Sequence, residues 1–192
     1  MSTSTFNKLS YNAPEVNSFI EELKQVNVDS SYYLLLLVGP YRKGKKQFLE
    51  NLADRAGQSI THIDLHDIVT MYEDETYENI DSLFQELHKE ESILFFSNGD
   101  RLCGAYTGYT YSKTRYATPQ EKYFLKKIQK LEKIILLDIL DEDNVDKTLE
   151  RNSHFTLSFN KPTSILKRFT WSLGNYSFHG HQIVSKRPQR KT

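Results

Sequence analysis

The sequence has little that could cross-link, anchor or export the chain. Its only cysteine is Cys103, so no disulfide can form within the chain. The longest apolar run, from Tyr32 to Val38, is far shorter than the roughly 20 residues that span a bilayer. The first residues lack the basic start and the apolar stretch of a signal peptide. We therefore expect a cytoplasmic protein without a membrane anchor.

Net charge is absent too, because 25 Lys and Arg residues balance 25 Asp and Glu residues. The balance hides an asymmetry, since residues 161–192 contain seven basic residues and no acidic one. Basic segments of this kind bind nucleic acid or acidic surfaces, and they also occur as solvated tails. The sequence leaves both interpretations open.

Apolar and aromatic side chains are plentiful, with 12 Tyr and 11 Phe in a chain of 192 residues, which is enough to fold one domain. Short apolar runs predict five strands: Tyr32–Val38, Ile60–Ile63, Ile93–Phe96, Ile134–Leu137 and Phe155–Phe159. Amphipathic patterns predict helices at Ala13–Val26, Lys45–Ala56, Tyr77–His88 and Gln120–Leu131. Apolar strands that alternate with helices are typical of a parallel sheet covered on both faces. We predict an α/β fold with a five-stranded parallel sheet.

One motif directly after the first predicted strand indicates phosphate binding. Residues 39–46 read Gly-Pro-Tyr-Arg-Lys-Gly-Lys-Lys, which matches the pattern G-x-x-x-x-G-K between a strand and a helix. In such a loop the backbone N–H groups and the lysine hold nucleotide phosphates, and a following Ser or Thr holds Mg²⁺. Because a lysine cannot ligate Mg²⁺, residue 46 argues against the metal. The residues predicted to bind ATP or ADP are Gly39, Pro40, Gly44, Lys45 and Lys46.

Several segments, in the right order, resemble the AAA+ ATPases. Gly39-Pro40 and Gly44-Lys45 match the GPPGTGKT sequence of that family. Residues 72–76 resemble its Y-x-G-E-T stretch, residues 93–104 lie over its ILFFDEADALFG segment, and residues 145–151 resemble LDPAFLRR. The resemblance covers roughly residues 30–162. It implies a three-layer P-loop NTPase-like core.

The positions that carry the chemistry in this family hold other residues here. The family's Walker B aspartate and glutamate, which position Mg²⁺ and polarise the attacking water, fall on Ser97 and Asn98. Neither side chain can do that work. Of the two arginines that reach a neighbouring subunit's nucleotide only Arg151 remains, and the chain after Pro162 is too short for the family's helical lid. The resemblance therefore implies no catalytic residue, no metal ligand and little or no hydrolysis.

We predict three regions: an N-terminal segment with a helix at 1–30, an AAA+-like P-loop core at 31–162 and a basic C-terminal tail at 163–192. The favoured function is that of a degenerate AAA+-like protein that binds ATP or ADP weakly. It would act as a binding or regulatory subunit, in a homo-oligomer or beside an AAA+ ring partner. One alternative is a slow ATPase that holds its metal with Asp100 or Asp138. Another is a nucleic-acid-binding module that uses residues 106–127 and the basic tail.

Overall fold

The computed structural model of the protein describes residues 8–25, 32–103, 117–160 and 183–186. Within these residues the chain forms seven strands and five α-helices. The strands are β1 (Lys8–Ser10), β2 (Tyr33–Val38), β3 (Ile60–Asp64), β4 (Ile93–Ser97), β5 (Ile134–Ile139), β6 (Phe155–Ser158) and β7 (Ile183–Lys186). The helices are α1 (Glu15–Lys24), α2 (Arg42–Ala56), α3 (Glu73–Leu87), α4 (Pro119–Ile128) and α5 (Lys147–Asn152).

All seven strands belong to one parallel sheet in the order β1-β6-β2-β5-β4-β3-β7. The five predicted strands are present as β2 to β6. The predicted number of five is too low, because the sheet gains β1 at one edge and β7 at the other. These two strands have only 3 and 4 residues and pair on one side only, so they lack the long apolar runs of the central strands.

Helices cover both faces of the sheet, as the predicted three layers require. One face packs against α3 and α4, which contribute Ile80, Phe84, Phe124 and Leu125 to its core. The other packs against α1 and α2, which contribute Phe19, Ile20, Phe48 and Leu52. The central strand β2 is buried on both faces, and this explains its continuous apolar sequence.

Local signals set the start of most helices. Thr118 caps α4 by accepting a hydrogen bond from the N–H of Glu121, and Pro119 fills the first position. Asp146 caps α5 through the N–H groups of the second and third residues after it. The helix α2 differs, because it begins at Arg42, ahead of the predicted Lys45, and has neither a side-chain cap nor an acidic residue in its first turn.

Both ends of the chain contribute to the sheet. From the predicted N-terminal segment, β1 pairs with β6 and α1 packs beside α2. From the predicted C-terminal tail, residues 183–186 pair with β3. The rest of that tail and residues 106–116 of the predicted nucleic-acid-binding loop are outside the described residues. None of the described helices is long and apolar enough to cross a bilayer.

Candidate functional site

The predicted site residues lie together at the carboxyl edge of the sheet, where ligands bind in open α/β folds. The predicted phosphate-binding residues connect the end of β2 to α2. Ser97 ends the neighbouring strand β4, and Asn98 follows it. Asp138, at the end of β5, lies between these two strands in the sheet.

The motif lysine has two partners within its own chain. Lys45 is 4% exposed, and its Nζ atom forms an ion pair with Asp138. The same atom donates a second hydrogen bond, 2.9 Å long, to the carbonyl oxygen of Ile139. Groups at the end of β5 therefore neutralise and hydrogen-bond the lysine ammonium.

Burial weakens the ionised forms of both members of this pair. It lowers the pKa of Lys45 even though Asp138 attracts the proton. Burial likewise raises the pKa of Asp138, against the pull of Lys45. Each charge depends on the other, so either one would be costly if its partner moved away.

Several backbone N–H groups of the loop are also engaged, although a phosphate cradle would need its N–H groups free. Four of them donate to carbonyl oxygens of this chain: Gly39 to Ile139 at 2.9 Å, Tyr41 to Phe159 at 3.1 Å, Arg42 to Pro40 at 3.0 Å and Lys45 to Tyr41 at 3.2 Å. The early start of α2 follows from the last of these bonds, which joins residues four apart as in an α-helix. The loop is thus wound into the helix and joined to its neighbours.

The two glycines of the motif are required by packing. Gly39 has a φ of 125°, and a Cβ atom there would lie 2.9 Å from backbone atoms of Phe159. A Cβ atom on Gly44 would lie 2.2 Å and 2.4 Å from ring atoms of Tyr41. The ring of Tyr41 is buried and lies beside Tyr11, which stacks on Phe159. An aromatic cluster therefore takes up the space that the second glycine provides.

Lys46 stands where the family has its Mg²⁺-binding hydroxyl. Its side chain is 70% exposed and points to Glu50, one turn along α2, at 3.9 Å. Pro40 is exposed as well. Neither side chain offers an oxygen ligand to a metal.

Hydrogen bonds between side chains fill the other half of the edge, at the ends of β3 and β4. Ser97 and His62 share a hydrogen bond of 2.7 Å between Oγ and Nε2. Asn98, which adopts a left-handed conformation with a φ of 58°, donates to Asp64 at 2.7 Å. Burial opposes the ionisation of Asp64, but hydrogen bonds from Asn98 and the His66 N–H lower its pKa. The sequence alone does not point to His62, because only the pairing of β3 with β4 brings it close to Ser97.

Two acidic residues had been predicted as alternative metal ligands, and both have structural partners. Asp100 accepts hydrogen bonds from the N–H groups of Leu140 and Asp141 and from the amide of Asn144. It thereby organises the loop that follows β5. Asp138 is paired with Lys45. Arg151, which falls at one of the family's two subunit-bridging arginine positions, is exposed on α5.

Comparison with known families agrees with this architecture. The model of the family described as "ATPase family associated with various cellular activities (AAA)" matches residues 35–163. The chain belongs to the AAA family. This membership confirms the predicted AAA+ core, and the predicted phosphate-binding residues lie within the matched range. No curated protein matches the chain.

The nucleotide and Mg²⁺ that the AAA family implies do not fit the P-loop as it is arranged. Four N–H groups of the loop and the ammonium of Lys45 are bonded within the chain. No oxygen ligand replaces the hydroxyl at Lys46, and the polar groups of Ser97 and Asn98 bond to neighbouring side chains. A phosphate would have to displace these internal partners, and a metal would find no carboxylate at the family's positions.

Proposed function

We propose that this AAA-family domain acts as a binding or regulatory subunit, with weak affinity for ATP or ADP and little or no ATP hydrolysis. One observation carries the proposal. The positions that correspond to the metal-binding and water-activating carboxylates hold Ser97 and Asn98, and both are hydrogen-bonded to residues of β3. The domain keeps the framework of an ATPase without its reactive groups.

The chemistry of phosphoryl transfer explains why these substitutions matter. The reaction depends on a metal ion that neutralises the phosphates and on a group that orients the attacking water. A serine is a weak neutral ligand, and an asparagine has no basic lone pair at neutral pH. Each missing group costs orders of magnitude in rate, and here both are missing together.

The alternative of a slow ATPase receives no support from the two acidic residues that it needs. A metal bound by Asp138 would compete with Lys45 for the same carboxylate. A metal bound by Asp100 would break three hydrogen bonds that hold the loop after β5. Both steps would cost stability before any catalysis began.

A pair of exposed apolar side chains supports a role in binding. Met71 is 90% exposed and Tyr72 is 68% exposed, just ahead of α3. Hydrogen bonds hold their turn in place: the Thr70 N–H donates to Thr76 Oγ1 at 3.0 Å, and Thr70 Oγ1 donates to the Tyr72 carbonyl at 3.0 Å. A fixed turn presents its side chains with little loss of entropy on binding. The partner that binds these two side chains would be a second copy of this chain or a subunit of an AAA+ ring.

A steady-state ATPase assay with Mg²⁺ tests the proposal. The matched control is the double variant Lys45→Met/Asp138→Leu, in which an apolar pair replaces the buried ion pair. We expect the wild-type protein to release phosphate no faster than this control. Turnover by the wild type that the double variant lacks would show that the P-loop is catalytic, and the proposal would then be wrong.

A further inference from the structure

We propose that the Asp138 carboxylate binds Lys45 in place of a nucleotide phosphate, so that the chain itself closes the P-loop. The loop opens only when this ion pair breaks. The inference rests on the proposed function and explains its weak nucleotide affinity. In this view Asp138 is an internal competitor of the ligand. Removing its charge should raise the affinity for phosphates.

Two groups at the end of β5 hold the side chain of Lys45. Its ammonium is almost fully buried, and it bonds both to the Asp138 carboxylate and to the Ile139 carbonyl. The Ile139 carbonyl also accepts the N–H of Gly39, the first residue of the motif. The end of β5 therefore holds the first and the seventh residues of the motif at once.

The two glycines of the motif serve packing within the chain. In a phosphate-binding loop the glycines let the backbone approach the ligand. Here the lack of a side chain at Gly39 lets the loop pass the backbone of Phe159, and at Gly44 it accommodates the ring of Tyr41. Contacts within the protein thus account for all three defining residues of the motif, Gly39, Gly44 and Lys45.

The charge of Asp138 opposes the binding of a phosphate. If Lys45 turned towards a phosphate, the carboxylate of Asp138 would stay partly buried without a counter-charge, and the incoming anion would add to the repulsion. The ligand would also have to break the bond to Ile139. An asparagine at position 138 keeps the size of the side chain and an acceptor oxygen, and it removes the competing charge.

The test measures binding of ATP, ADP and inorganic triphosphate by calorimetry in EDTA at low ionic strength. We expect Asp138→Asn to bind all three probes at least tenfold more tightly than the wild type. Asp64→Asn is the matched control, because it removes the same charge at the same edge of the sheet from a residue that does not contact Lys45. Its affinity should stay within about threefold of the wild type, a difference of less than about 1 kcal/mol.

Further variants show whether the gain comes through the lysine. In Lys45→Met/Asp138→Asn the added affinity should disappear. The inference is overturned if Asp138→Asn binds no better than the wild type, if Asp64→Asn gains as much, or if the gain survives without Lys45. Wild-type turnover in the ATPase assay would instead contradict the proposed function, so the two failures can be told apart.

A measurement on the unaltered protein covers the case in which Asp138→Asn does not fold. Brief acetylation with an amine-reactive ester, read by mass spectrometry, compares Lys45 with its exposed neighbour Lys46. A closed loop predicts that Lys45 reacts at least tenfold more slowly. Equal labelling of the two lysines would overturn the inference without any variant.

Discussion

The carboxyl edge of the sheet has two halves that differ in how they satisfy their polar groups. The lysine half, at the ends of β2 and β5, contains a pair of opposite charges, the buried Lys45 and the partly buried Asp138. The histidine half, at the ends of β3 and β4, contains His62 and Ser97, which share a hydrogen bond and are only partly buried. Internal partners close both halves: an ion pair links Lys45 and Asp138, and a hydrogen bond links His62 and Ser97.

This difference determines what each half can tolerate. A buried charge that loses its partner pays most of its desolvation cost, whereas a neutral hydrogen bond near the surface can be replaced by water. The lysine half should therefore be sensitive to single substitutions and tolerant of paired ones. The histidine half should respond weakly to either.

The largest expected effect is that of Lys45→Met. It leaves the Asp138 carboxylate partly buried without a counter-charge, and we expect a loss of about 3 kcal/mol in the free energy of unfolding. The double variant Lys45→Met/Asp138→Leu should return to within about 1 kcal/mol of the wild type, because no charge is then stranded. Urea unfolding followed by circular dichroism measures both.

The control for this comparison lies next in the sequence. Lys46→Met removes the same charge from an exposed side chain with one distant partner, Glu50, and should cost no more than about 0.5 kcal/mol. If the losses at positions 45 and 46 were equal, the ion pair would contribute nothing special. The contrast between the halves would then have to be abandoned.

The second expected effect concerns a buried carboxyl group without a cationic partner. Glu121 is 1% exposed, and its carboxyl group lies beside the carboxyl group of Asp146. Burial, and then the nearby charge of Asp146, raise its pKa from 4.5 to about 8, although Lys122 pulls the other way. Glu121 is therefore a third kind of buried group, an acid that is protonated when buried.

The sign of the pH dependence follows from that raised pKa. The folded state binds the proton more tightly than the unfolded state, so the stability is present below pH 4.5 and is lost as the pH rises towards 8. We expect a loss of about 2 kcal/mol between pH 5 and pH 7 that is absent in Glu121→Gln. Chemical unfolding at several pH values measures the difference. Parallel pH curves for the two proteins would contradict the prediction.

The sequence predicted the framework well because burial on both faces leaves a plain signal. The run from Leu34 to Val38 is apolar throughout and forms the buried part of β2. Edge strands such as Lys8–Ser10 carry no such run, and they were missed. The amphipathic pattern predicts that α2 starts at Lys45. The structure starts it at Arg42, where the backbone bonds internally.

The sequence predicts which residues belong to the candidate site, but it does not predict their contacts. The residue types at 39–46, 97 and 98 were enough to place the P-loop and to question the catalysis. The partner of Lys45 was not predictable, because Asp138 is 93 residues away and meets the lysine only through the register of β2 and β5. The same holds for His62 and Ser97, which are brought together by the pairing of β3 with β4.

The smallest expected effect lies in the histidine half and sets the lower limit of the comparison. Ser97→Ala removes the hydroxyl that bonds to His62 and should cost about 1 kcal/mol in urea unfolding at pH 7. Burial lowers the pKa of His62, so the ring stays neutral at this pH and no charge is stranded when the hydroxyl is lost. Ser97→Thr, which keeps the hydroxyl, is the control. A loss in Ser97→Ala as large as that of Lys45→Met would mean that burial alone, and not charge, makes the edge of the sheet sensitive.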